Sequence, residues 1–329
     1  MTAPVRLSVA IPIYNEVDLL PELLQRVGAV LHDLPGGPHE IVMVDDGSTD
    51  GSRQALLQAA AAEVRLVVVV LSRNFGHQAA LSAALDHVTG DAVVLMDGDL
   101  QDPPEAIPLL LRTHLEGYDV VYARRVRRKE GWLLRASYAT FYRVLARLSN
   151  VDLPVDSGDF GLMSRRVVEQ LRRAPERHRY LRGLRAWAGY AQIGVTVERA
   201  ARAGGESKYS LRKLIELAFD GFFSFSVAPL RAAALLGLGA IVLSTVFALY
   251  AVAAKLLLGH SPQGFTAIIV VMTFLSGTNL LFLGLLGEYL GRVYEEVKRR
   301  PLYVVDQIVR GDAGAAPRPA DGLATETHH

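Results

Sequence analysis

Val93-Val94-Leu95-Met96-Asp97-Gly98-Asp99-Leu100-Gln101-Asp102-Pro103-Pro104-Glu105 decides how this chain is read. Four apolar residues in a row make a strand buried on both faces, which is what a parallel sheet requires. The run stops at two carboxylates one residue apart, then Gln101, then a Pro-Pro turn. Oxygen donors at the end of a strand suit a hard cation such as Mg²⁺ or Mn²⁺, which keeps open positions for phosphate oxygens. A carboxylate pair in a turn is also ordinary solvated loop chemistry. Its place directly after a buried strand favours the metal reading.

Working outward, residues 1 to about 125 repeat the same grammar. Strands are expected at Leu7–Ile13, Glu40–Val44, Leu66–Leu71, Ala92–Met96 and Asp119–Ala123, and amphipathic helices at 18–32, 51–63, 76–88 and 105–116. Strand alternating with helix predicts an α/β fold with a mostly parallel, Rossmann-like sheet. Ligands bind such sheets at the carboxyl ends of their strands. The polar residues collect there: Tyr14-Asn15-Glu16 after the first strand, Asp45-Asp46-Gly47-Ser48-Thr49-Asp50 after the second, and Ser72-Arg73-Asn74-Phe75-Gly76-His77 after the third. Asp50 and Asn74 read most simply as helix caps. From residue 124 to about 213 the pattern is less regular: a basic helix at 131–148, a loop at 152–160, a helix from Ser164 and a strand at 192–199.

The composition then shifts. Residues 232–254 form 23 positions without a charge, and residues 261–287 form 27. A membrane span needs roughly 20 apolar residues, and the short link between the two stretches makes them a helical hairpin. Arg212, Lys213 and Arg231 precede the hairpin; Arg292, Lys298, Arg299 and Arg300 follow it. The positive-inside rule puts both ends, and the large N-terminal domain, in the cytoplasm, giving a multi-pass protein of the cytoplasmic membrane. The domains expected are 1–210, catalytic; 211–228, an amphipathic helix along the membrane surface; 229–310, the hairpin with spans near 232–254 and 264–287 and a juxtamembrane segment; and 311–329, a disordered Ala-, Gly- and Pro-rich tail.

The 329 residues carry a formal charge of +1 and no cysteine. Disulfides, thiolate zinc sites and cysteine nucleophiles are therefore excluded, and the balanced charge gives no reason to expect a nucleic-acid partner. Met1–Arg6 leads into the first strand with no signal-peptide pattern. A carboxylate turn for a nucleotide diphosphate beside a membrane hairpin suggests transfer of a group from a soluble nucleotide to a lipid.

Ile11-Pro12-Ile13-Tyr14-Asn15-Glu16, Val44-Asp45-Asp46-Gly47-Ser48-Thr49-Asp50 and Asp97-Gly98-Asp99-Leu100-Gln101-Asp102-Pro103-Pro104-Glu105, in this order, resemble the family-2 inverting glycosyltransferases of GT-A fold. With the hairpin and Gly287-Glu288-Tyr289-Leu290-Gly291-Arg292, the chain is most similar to the polyprenyl-phosphate branch, which includes dolichol-phosphate mannose synthases and undecaprenyl-phosphate glucosyltransferases. The resemblance implies a nucleotide-diphosphate sugar as donor, UDP-glucose first, and a polyprenyl phosphate as acceptor. GDP-mannose, N-acetylglucosamine and modified arabinose donors share the motifs. It implies that Pro12, Tyr14, Glu16 and Asp46 contact the nucleoside. Asp97, Asp99 and Gln101 would hold the metal and diphosphate, and Arg202 and Lys208 would close over the phosphates. Arg124 and Arg135 would receive the lipid phosphate, and Asp159, with Asp156 as rival, would serve as general base. A phosphate monoester is largely ionised near neutral pH, its second pKa being about 6, so a base matters less here than positioning. Two spans are too few for a translocation pore in one subunit, which leaves flipping of the product and its further transfer to separate proteins; Gly284, Gly287 and Gly291 offer a face for either homo-oligomer contact or lipid. A glycan synthase would carry an extra Gln/aromatic acceptor motif and more spans. A silent nucleotide- or lipid-binding scaffold would not need Asp97 and Asp99.

Overall fold

The computed structural model describes residues 5–125, 157–197 apart from 175 and 178, helical positions between Leu235 and Leu257, and residues 264–311. These belong to two compact units. The first is a sheet unit that also takes in the chain from Pro301 onward, and the second is a helical unit ending at Arg300.

In the sheet unit the strands are β1 (Leu7–Ile13), β2 (Glu40–Asp45), β3 (Leu66–Leu71), β4 (Ala92–Leu95), β5 (Val120–Arg125), β6 (Ser157–Ser164), β7 (Gln192–Val197) and β8 (Val305–Arg310). The helices are α1 (Leu20–Asp33), α2 (Ser52–Ala62), α3 (His77–His87), α4 (Ile107–Leu115), α5 (Arg165–Arg173) and α6 (Leu181–Trp187). One mixed sheet runs β7-β5-β6-β4-β1-β2-β3-β8. Its centre, β4-β1-β2-β3, is parallel, and every residue of β1, β3 and β4 is buried. This is why those strands read as unbroken apolar runs.

Side-chain alternation divides the core in two. Val9, Ile11, Ile13, Ile41 and Met43 face α1, α2 and α4 through Leu23, Val27, Leu56 and Leu110. Ala10, Val42 and Val44 face the opposite layer, where α3, α5 and α6 supply Leu81, Leu85, Val168, Leu171, Leu181 and Leu184. The mostly parallel α/β sheet implied by the sequence is present, with the main differences from expectation in three strands. The segment read as a loop at 152–160 ends in β6, which pairs antiparallel with both β4 and β5. Ser157–Ser164 has no period-2 pattern of its own; its two neighbours make it a strand. β5 runs on to Arg125, and β8, placed above in a juxtamembrane segment, is an antiparallel edge strand on β3. Arg53 binds Asp306 at 2.6 Å and Tyr303 donates to Asp86 at 2.6 Å, fastening this last strand to α2 and α3.

The helical unit contains α7, Phe265–Val297, 33 residues long. Its first 23 residues, through Gly287, are uncharged. Among the described residues no helix is long and apolar enough to cross a membrane. The first expected span is described only at scattered positions, and the helix expected at 211–228 lies outside the described residues.

Candidate active site

β1 has β2 on one side and β4 on the other, so the chain's path through the sheet reverses between β1 and β4. A crevice opens beyond the carboxyl ends of strands at such a switch point. Every expected site residue that is described lies around this edge.

Two loops on the β2 side are knitted together. Asn15 takes a left-handed backbone (φ 56°) and its Oδ1 accepts from the Thr49 N–H at 2.8 Å. Glu16 N–H donates to Ser52 Oγ at 2.9 Å, and Val17 N–H donates to Asp50 Oδ2 at 3.0 Å. Asp50 also accepts from the N–H of Ser52, the first residue of α2, although the cap position itself is Gly51. The pinned loop leaves Tyr14 49% exposed, an aromatic face open to a base.

Asp46 is buried and accepts from the N–H groups of Phe75 (2.7 Å) and Gly76 (3.0 Å). Burial raises its pKa and outweighs those two donors. Asn74 does not cap α3. That helix starts at His77 with Gly76 in the cap position and no side-chain cap, because the Asp46 carboxylate organises the turn instead. Gly47 makes the approach possible: its φ is +70°, and a Cβ there would lie 2.5 Å from Asn74 N.

The Asp97–Asp102 turn follows β4. Gln101 N–H donates to Asp99 Oδ1 at 3.1 Å, and Leu100 is buried with φ 55°, a conformation a branched side chain adopts at a cost. Asp97 Oδ1 is buried without a hydrogen-bond partner. Burial lifts the Asp97 pKa to about 6; His77 opposes this, and the carboxylates of Asp159, Asp102 and Asp99 add to it.

Asp159 arrives through β6. Leu95 pairs with Gly161, and continuing that antiparallel register two residues sets Asp159 opposite Asp97. His77 stands between them, its Nε2 3.5 Å from Asp97 Oδ1 and 3.8 Å from Asp159 Oδ2. Burial disfavours the imidazolium, but the two carboxylates prevail and the His77 pKa is raised. Arg182 of α6 grips Asp159 from the other side, donating Nε to Oδ1 and Nη2 to Oδ2, both at 2.7 Å. Burial alone would raise the Asp159 pKa. The bidentate Arg182 bonds and His77 reverse this and hold the carboxyl far below its usual range. The two bonds from Arg182 engage both carboxylate oxygens, an arrangement that suits an anchor beside the general-base role expected for Asp159.

Arg124 is exposed at the end of β5, with Ser157 and Thr196 as its pairing neighbours. Pro12 is buried in β1. Arg135, Asp156, Arg202 and Lys208 lie outside the described residues. His77, Arg182 and Arg185 are additions. His77 follows the Ser72–Gly76 loop as the first residue of α3, and the two arginines lie in Leu181-Arg182-Gly183-Leu184-Arg185 of α6. Arg185 is 4% exposed, with its guanidinium 5.4 Å from the centre of the Tyr122 ring. Burial draws its pKa down to about 10 against the attraction of Asp159.

Among the described residues no three His, Cys, Asp or Glu side chains form a metal cage. Mg²⁺ and Mn²⁺ sites that share their ion with a nucleotide need only one or two carboxylates. The buried Asp97 oxygen, which accepts no hydrogen bond, and the carboxylates crowding it fit such an ion.

An open α/β sheet with a carboxylate turn and an exposed aromatic at its switch point offers a crevice for a nucleotide ligand at the strands' carboxyl ends. The chain belongs to glycosyl transferase family 2, whose sequence profile matches residues 8–172. An uncharacterized glycosyltransferase of Synechocystis, sll0501, is 43% identical over 305 residues, covering 92% of this chain and 96% of that protein. YkcC of Bacillus subtilis, also an uncharacterized glycosyltransferase, is 38% identical over 93% of this chain and 95% of its own. The SfII prophage-derived bactoprenol glucosyl transferase of Shigella flexneri is 37% identical over 93% of this chain and 99% of its own.

Proposed function

We propose that this enzyme transfers a sugar, glucose from UDP-glucose first among the candidates, to the phosphate of a polyprenyl lipid, with inversion at the anomeric carbon. The supporting observation is the carboxylate turn at the β1/β4 switch point, in a chain similar along nearly its whole length to a bactoprenol glucosyl transferase. The donor's base lies against Tyr14, with its nucleoside reached by Pro12, Glu16 and the loop that Asp46 organises. Asp97, Asp99 and Gln101 hold a divalent cation, Mg²⁺ or Mn²⁺, together with the diphosphate. When bound, that cation supplies positive charge for the departing diphosphate.

One oxygen of the lipid phosphate forms a bond to the anomeric carbon as the bond to the diphosphate oxygen breaks. The electron pair leaves with the nucleoside diphosphate. The attacking phosphate is already ionised, so no proton has to be removed, in keeping with an Asp159 carboxylate tied to Arg182. Arg124 and Arg135 receive the lipid phosphate, and Arg202 and Lys208 close over the donor.

The helical unit is the membrane anchor, with residues 232–254 and 264–287 as its spans and the catalytic domain on the cytoplasmic face. Along α7, Ile268, Val271, Met272, Phe274, Leu280 and Leu283 are all more than half exposed. Apolar exposure on that scale suits lipid rather than water. Arg292, Lys298, Arg299 and Arg300 after the second span suit the cytoplasmic side.

The test incubates purified protein with undecaprenyl phosphate, Mg²⁺ or Mn²⁺ and a panel of UDP- and GDP-sugars, and identifies the lipid product by mass spectrometry. A sugar–phospholipid that disappears with Asp99→Asn supports the proposal and names the donor. No lipid product from any donor overturns it.

A further inference from the structure

Arg185 is the anomaly in the catalytic unit. Its side chain is buried, and its Nε and Nη2 have no hydrogen-bond partner. Two unpartnered donors on a buried cation are costly, and proteins retain such groups where a ligand uses them. Its surroundings are specific. Tyr122 offers its ring face, and the neighbouring β7 residue is Gly194, where a Cβ would come within 2.7 Å of that ring. The β6 pairing shifts register between Tyr122 and Arg124, but β5 pairs regularly with β7 from Tyr122–Gly194 to Arg124–Thr196, which keeps Tyr122 and Arg124 on the same face of the sheet, two residues apart. Asp159 lies on this face too, bonded to Arg182 of α6 and 3.8 Å from His77 of α3. The face therefore carries, in sequence toward the strand's end, a buried arginine resting on an aromatic and then an exposed arginine.

We propose that Arg185 is a binding residue for the phosphoryl oxygens of the lipid acceptor, extending the acceptor site from Arg124 on β5 onto α6. The assignment rests on the functional reading above. Burial makes this cation effective: a charge shielded from water attracts a phosphate far more strongly than a solvated one. The planar guanidinium also keeps two donors in a fixed geometry that fits phosphate oxygens.

The test uses the full-length enzyme in detergent, with the KM for undecaprenyl phosphate and for the nucleotide sugar measured separately, alongside thermal melting. In Arg185→Met the KM for the lipid phosphate is expected to rise roughly 10- to 100-fold, the loss of charge-assisted hydrogen bonds. The donor KM stays unchanged. Melting temperature holds or rises, because an apolar side chain removes the desolvation cost of a buried charge whose Nε and Nη2 have no hydrogen-bond partner. Arg185→Lys, which keeps the charge and loses the fork, falls between; if Arg185→Met does not fold, a raised lipid KM in a normally melting Arg185→Lys carries the test. An unmoved lipid KM, a rise confined to the donor KM, which would move the phosphoryl group served to the donor diphosphate, or a lower melting temperature with both KM values intact each overturns the proposal. Wild-type enzyme that transfers no sugar to lipid defeats the functional reading instead; wild-type turnover with an unaltered Arg185→Met defeats this inference alone.

Discussion

Replacing Asp159 by Asn tests whether this carboxylate is an anchor or a base. Its side chain is 6% exposed and shares two 2.7 Å hydrogen bonds with Arg182, itself 30% exposed. Deleting one member of a buried ion pair costs about 3–5 kcal/mol, chiefly because the other charge is left uncompensated. The partial exposure of Arg182 moves the expectation to the lower end, about 3 kcal/mol. For a domain of this size 1 kcal/mol is worth about 2–4 °C, so melting should fall by about 6–12 °C. The folded-state pKa of Asp159 lies below its unfolded value, so its stabilisation is fully present above the unfolded pKa of about 3.9 and is lost as pH falls through the folded one. The deficit of Asp159→Asn should therefore be constant from neutral pH down to about 5. Adding Arg182→Met to Asp159→Asn should cost less than the two single losses summed, since the two side chains share one interaction. The assay is thermal melting of the two single variants and the double variant at several pH values, with kcat followed against pH. Unaltered melting, additive losses in the double variant, or a wild-type kcat profile whose acid limb disappears only in Asp159→Asn would refute the anchor role and restore the base.

Asp97→Asn should abolish Mn²⁺ binding followed by electron paramagnetic resonance, and wild-type binding should weaken as pH falls through about 6, where Asp97 takes up a proton that competes with the ion; pH-independent binding would contradict this. Gly47→Ala forces a Cβ to within 2.5 Å of Asn74 N from a backbone at φ +70°. It should displace the 73–76 loop and raise the donor KM about tenfold or more while leaving the lipid KM alone, as steady-state kinetics with each substrate varied would reveal.

The sequence alone determined the parallel heart of the sheet and its carboxyl edge. β1, β2, β3 and β4 are buried on both faces, and that burial is written as continuous apolar runs that end where the polar loops begin. Tyr14, Asp46 and Asp97 could be placed at one edge because parallel strands deliver their carboxyl ends together. The antiparallel additions were hidden. Ser157–Ser164 and Val305–Arg310 become strands only by pairing with neighbours far away in sequence, and local propensity does not encode a distant partner. The electrostatic character of the site was hidden for the same reason. The family resemblance offered Asp159 as a base, with Asp156 as rival. Only the packing shows its partners: β6 runs antiparallel to β4 and α6 packs on the same layer, bringing His77 and Arg182 onto one carboxylate from 82 residues and 23 residues away. Charge interactions depend on separation in space and on burial, both of which are fixed only when the layers pack.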